Sequence, residues 1–133
     1  MRVCLMLLAV MGMAGPALAT DWQYLAGYAD QSVTLYYDRH SVHVLGDVVK
    51  VRTKRVFSED EGREMAVEQG FADNVAYVVE RVALDCRRKR IARQQTAWIG
   101  VGGKVLDRTV ASGYRWRDMR PGGLGEAVCE ELQ

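Results

Sequence analysis

The stretch NVAYVVERVALDCRRKR, residues 74–90, decides the fold. From Val78 to Cys86 it alternates in period two. Val78, Val82, Leu84 and Cys86 share one face; Tyr77, Val79, Arg81, Ala83, Asp85 and Arg87 share the other. Alternation over this length predicts a half-buried strand. Cys86 points with the more apolar set and should face the core. Its expected partner is Cys129, so that the chain's tail is pinned across the inner face of a sheet. Two buried free thiols are the alternative.

That pairing follows from the compartment. Arg2 supplies a positive start, residues 5–15 form an uncharged apolar run, and Ala17-Leu18-Ala19 is a small-x-small cleavage site. Residues 1–19 therefore read as an export signal. The apolar run is short of the roughly 20 residues that a membrane span needs, and no second such run follows. Cys4 precedes the run without the small residues of a lipoprotein signal, so it should leave with the signal. Cys86 and Cys129 then remain in an oxidising compartment, where a disulfide is the simplest outcome. In the chain-entropy account, closing a loop of this length stabilises a fold by about 4 kcal/mol.

Cleavage after Ala19 leaves residues 20–133, the length of one domain. Losing Arg2 lowers the basic count from 18 to 17, against 17 acidic residues. A net charge near zero, together with export, argues against a general nucleic-acid binder.

The remaining chain supplies the other strands. Residues 21–28 (DWQYLAGY) and 33–38 (VTLYYD) are aromatic and β-branched, separated by a turn at 29–32. Residues 42–45 read as a short strand before the Gly46-Asp47 turn. In VVKVRTKRVF, residues 48–57, Val49, Val51, Thr53 and Phe57 fall on one side and Lys50, Arg52 and Lys54 on the other. This predicts a strand with a wet, basic face, as antiparallel sheets permit. Ser58 can cap a helix whose first turn holds Glu59, Asp60 and Glu61, and Gly70 stops it. Gly62 and the scarcity of large apolar residues there predict a surface excursion. Residues 91–99 form a further strand whose alternation leaves its faces unassigned. A glycine turn at 100–103 joins it to a hairpin partner at 104–110, and 111–116 reads as irregular. After Pro121-Gly122-Gly123, residues 124–132 form a short helix with Leu124, Val128 and Leu132 as its apolar stripe and Cys129 beside it.

In order along the chain stand Trp22, Tyr36-Tyr37-Asp38, Ser41, Gly46 before a Val/Lys strand, and Asp85-Cys86 followed by basic residues. Gly102-Gly103-Lys104-Val105, Trp116, Pro121-Gly122 and a closing helix with Cys129 complete the set. The pattern resembles the surface-adhesin protein E family of bacterial envelope proteins. The resemblance covers residues 20–133. It implies an α+β fold: a single antiparallel sheet of about six strands, with a C-terminal helix packed on its concave face and tied by the Cys86–Cys129 disulfide. It also implies a non-enzymatic adhesion module, because the family's namesake binds host matrix and plasma proteins such as vitronectin and laminin. A periplasmic structural or assembly component without a host ligand is the alternative. The absence of a lipoprotein signal favours the periplasm over surface display, and pairing of two copies through sheet edges stays open.

The residues offer little chemistry. His40 and His43 would face opposite ways in a strand, with no third ligand near them. No nucleophile elbow and no phosphate-binding glycine loop is present. No catalytic residue, metal or cofactor is therefore expected. Asp85 beside Arg87 reads as a salt-bridged strand end. The sharpest feature is basic. Arg87, Arg88, Lys89 and Arg90, with Lys50, Arg52, Lys54 and Arg93, are expected to form a patch for an anionic envelope or matrix ligand or an acidic protein surface. The competing reading is a solvated strand end that blunts edge pairing. Trp98, Tyr114 and Trp116 are expected in packing more than in a ligand platform.

Overall fold

A computed structural model describes residues 19–133. All of the expected signal except Ala19 lies outside the described residues. Along the chain come β1 (Trp22–Gly27), β2 (Val33–Asp38), a 3-10 turn (Arg39–Ser41), β3 (His43–Leu45) and β4 (Val48–Phe57). After these follow α1 (Glu59–Gln69), β5 (Val75–Asp85), β6 (Arg90–Gly100), β7 (Val105–Val110), β8 (Arg117–Asp118) and α2 (Leu124–Glu131). The strands form one sheet in the order β1-β2-β4-β5-β6-β7, with β3 paired to β4 and β8 to β6. Every pairing is antiparallel.

The sheet has eight strands, where about six were expected. The main path does contain six. The other two are β3, which matches the short strand expected at residues 42–45, and β8, whose two residues are too few for alternation to mark. β8 follows directly on the stretch 111–116 that reads as irregular.

One face of the sheet is covered. Val33, Leu35 and Tyr37 of β2, Val51 and Phe57 of β4, Val78, Val82 and Leu84 of β5 and Ile91 of β6 are buried there. They meet Leu124, Val128 and Cys129 of α2 and Ala66 of α1 in one cluster. Trp98 packs against it, stacked on Phe57 with ring centroids 6.3 Å apart and tilted against Phe71. The weak alternation of β6 has a local cause. Opposite Arg81 and Val82 the register slips, pairing Gln95 and then Arg93 with them and leaving Gln94 as the extra residue. A bulge of this kind reverses the parity on either side of it. Arg93 and Thr96 thus both approach Glu80, on the covered face.

α1 begins and ends as its residues dictate. Ser58 Oγ accepts from the Glu61 amide at 3.2 Å, and Gly70, at φ 74°, donates its N–H to the last turn. Gly62 is the point of closest approach, not a weakness. A Cβ there would stand 2.1 Å from the Val75 carbonyl oxygen, so only glycine lets α1 lie this close to β5. α2 is fastened covalently: Cys86, just past β5, is bonded to Cys129, with Cα atoms 5.6 Å apart. The expected disulfide and the expected helical stripe are both in place.

Candidate functional site: the open face of the sheet

The opposite face carries neither of the described helices, since α1 and α2 both pack into the covered-face core. Strand parity sets what it displays. Trp22 lies opposite Asp38 and Tyr24 opposite Tyr36; Tyr36 lies opposite Lys54; Lys54 lies opposite Val79 and Arg52 opposite Arg81; Ala97 lies opposite Arg108. Lys50, Arg52, Lys54, Arg81 and Arg108 thus share one surface with Trp22, Tyr24, Tyr36 and Tyr77. Two shallow hollows of about 300 and 270 Å³ flank Arg81 and share Arg52 and Gln95 in their walls.

Aromatic rings hold these cations. Lys54 Nζ stands 4.6 Å from the Trp22 ring centroid, 5.3 Å from Tyr36 and 5.5 Å from Tyr77. The Arg52 guanidinium lies 5.5 Å from the Trp22 ring. Ring quadrupoles attract such charges, while partial burial pushes the Lys54 ammonium below its ordinary pKa. Lys50 sits 5.3 Å from the Tyr114 ring, which stacks on Trp116 at 5.6 Å. Trp98 packs in the core, whereas Tyr114 and Trp116 stack at one end of the open face.

Carboxylates are scarce here. Asp38 is the acid nearest Arg52, at 3.8 Å, and it is buried and otherwise occupied. Its Oδ1 accepts from the amides of Asp21 at 3.0 Å and His40 at 3.1 Å. Ser41 Oγ donates to the Asp38 carbonyl at 2.7 Å and accepts from the Arg52 amide at 2.8 Å. Asp38 and Ser41 are thus fittings that hold the 3-10 turn against β4. Arg52 and Arg81 meet as a like-charged cross-strand pair, an arrangement that costs stability.

The basic residues expected to form one patch separate into three places. Lys50, Arg52 and Lys54 lie on the open face. Arg87, Arg88 and Lys89 form the turn between β5 and β6, with Arg90 at the start of β6. There Asp85 pairs with Arg88, not Arg87: Oδ1 accepts from the Arg88 amide at 3.0 Å and Oδ2 from its guanidinium at 3.0 Å. Arg90 lies 3.9 Å from Asp118. Arg93 is on the covered face, 2.8 Å from Glu80. Arg81, Arg108, Trp22, Tyr36 and Tyr77 complete the open-face cluster, and no sequence motif joined them to the patch. Their signal is parity, which becomes usable only once strand order is known. His40 lies in the 3-10 turn and His43 on β3. Among the described residues no three His, Cys, Asp or Glu side chains gather as a metal site. None of the described helices is long and apolar enough to cross a membrane.

Comparison with known proteins places the fold. A structure of Haemophilus influenzae protein E in crystal form II is similar at 16% identity, over 85% of this chain and 90% of that chain, with a TM-score of 0.51. A selenomethionine form of the same protein is similar at 14% identity, over 85% and 88%, with a TM-score of 0.48. No match is found among curated proteins. The family model described as surface-adhesin protein E matches residues 22–132, from the first residue of β1 to just beyond α2. This chain therefore belongs to the surface-adhesin protein E family.

Proposed function

We propose that this protein is an exported, adhesin-type binding module that grips an acidic surface of a host matrix protein with the open face of its sheet. Family membership supports an adhesin-type surface protein. The observation that carries the finer reading is Arg52 directly opposite Arg81, beside Lys54 enclosed by three rings. Cations arranged against their own repulsion gain when an acidic partner covers them, and aromatic residues and arginine are the side chains that anchor protein interfaces. The role assigned is binding, not catalysis.

The experiment measures binding of residues 20–133 to immobilised vitronectin and laminin across a salt series. Saturable binding that weakens with salt, and falls about tenfold or more in Arg52→Ala/Arg81→Ala, is the expected result. Protease treatment of intact cells should also cleave the protein. Absence of saturable binding, or binding indifferent to the double substitution, overturns the reading. Full protection from protease overturns surface display and leaves an internal envelope role.

A further inference from the structure

We propose a second, separate site: an oxyanion cleft on the covered face, at the start of α2, that takes the phosphate or sulfate group of a small molecule. A cavity of about 360 Å³ opens there, within the size range of small-molecule sites. Four arginines line it, Arg55, Arg93, Arg117 and Arg120, together with Tyr28 and the opening residues of α2.

Strand register explains the convergence. Arg117 of β8 lies opposite Ile91 of β6, and Ile91 belongs to the covered face. Arg93 is two residues further on. Asp118 also borders the cavity, but its side chain is 94% exposed and lies 3.9 Å from Arg90. Beneath Arg55 and Arg93 lies Glu80, with a side chain 2% exposed. Its Oε1 accepts from Arg55 at 3.1 Å and its Oε2 from Thr96 at 3.4 Å, while Arg93 Nε forms an ion pair with Oε2 at 2.8 Å.

The one buried carboxylate, Glu80, thus answers two of the four guanidiniums, Arg55 and Arg93. Among the described residues neither Arg117 nor Arg120 has a carboxylate within 4.0 Å, and the Arg55 Nε is buried without a partner. Guanidinium groups offer the forked donors that match tetrahedral oxyanions. The helix end adds to this. Gly123 caps α2 without a side chain, which leaves amides at the positive end of the helix dipole. Glu126, the acid of the first turn, is not in the cleft wall.

The test is titration calorimetry of residues 20–133, which contain every described element, with inorganic phosphate and with sodium sulfate at constant ionic strength. Saturable binding of at least one anion is expected. Arg117→Ala/Arg120→Ala, both exposed and unpaired, should weaken it about tenfold or more with an unchanged far-ultraviolet spectrum. Arg52→Ala/Arg81→Ala should leave it intact, which separates this site from the open face. Failure of both anions to saturate overturns the proposal. So does binding that survives loss of Arg117 and Arg120, or that disappears with Arg52 and Arg81.

Discussion

Arg52 and Arg55 stand three residues apart on β4 and live by different rules. Arg55 is on the covered face, 26% exposed, and is held by a buried carboxylate. Arg52 is on the open face, near an aromatic ring and opposite another arginine. Around Arg55, charge is neutralised and becomes part of the framework. Around Arg52, like charge is gathered beside a more distant carboxylate, Asp38 at 3.8 Å. The contrast teaches that the number of arginines on a sheet says little about binding. What separates framework from recognition is how closely a carboxylate answers each cation: Glu80 stands 3.1 Å from Arg55, Asp38 3.8 Å from Arg52.

Substitutions can test how far the two faces differ. The largest effect should come from the covalent tie on the covered side. Replacing Cys86 and Cys129 with serine is expected to lower unfolding free energy by about 4 kcal/mol in urea denaturation, given a sequence separation of 43. Next, Glu80→Gln should destabilise by about 3 kcal/mol, because it strands Arg55 in a largely buried setting. Adding Arg55→Met should recover part of that loss; a double variant as unstable as the sum of the singles would contradict the pairing.

A smaller effect is expected at the hairpin end, and it depends on pH. The Arg88 amide, and then its side chain, hold the Asp85 carboxyl below its ordinary value. A depressed carboxyl contributes stability above the unfolded pKa, about 3.9, and loses it as pH falls through the folded value. Thermal scans from pH 7 to pH 3 should therefore show a shallower acid-side decline for Asp85→Asn than for the parent. Least affected should be the open face. Arg81→Ala is expected to change stability by no more than about 0.5 kcal/mol, or to raise it slightly by relieving Arg52. A loss of 2 kcal/mol or more would make Arg81 framework after all and erase the distinction between the faces.

Much of the frame was legible from local pattern. The alternation of 78–86 and 48–57, the Ser58 and Gly70 caps and the paired cysteines each act over a few residues or through chemistry that leaves few partners. Glu80 and Arg55 escaped notice because each interrupts an otherwise apolar row, and only their mutual approach across β4 and β5 explains them. The faces of β6 stayed hidden because a bulge at Gln94 shifts the period midway. The basic patch divided because nearness in sequence says nothing about which side of a sheet a strand end presents. Arg93 lies close to Arg90 in the chain, yet belongs with Glu80. Gly62 looked like a helix breaker, since its value lies in a contact with Val75 that no local rule encodes.

The bond between Cys86 and Cys129 also has a mechanical meaning. Tension running along the backbone would leave β5 at Cys86, cross the two sulfurs and rejoin the chain at Cys129. The loop between them, 43 positions in sequence separation, would feel none of the pull. Roughly 150 Å of extensible chain is thereby withheld from stretching, and β6, β7 and β8 stay shielded when the protein is tugged.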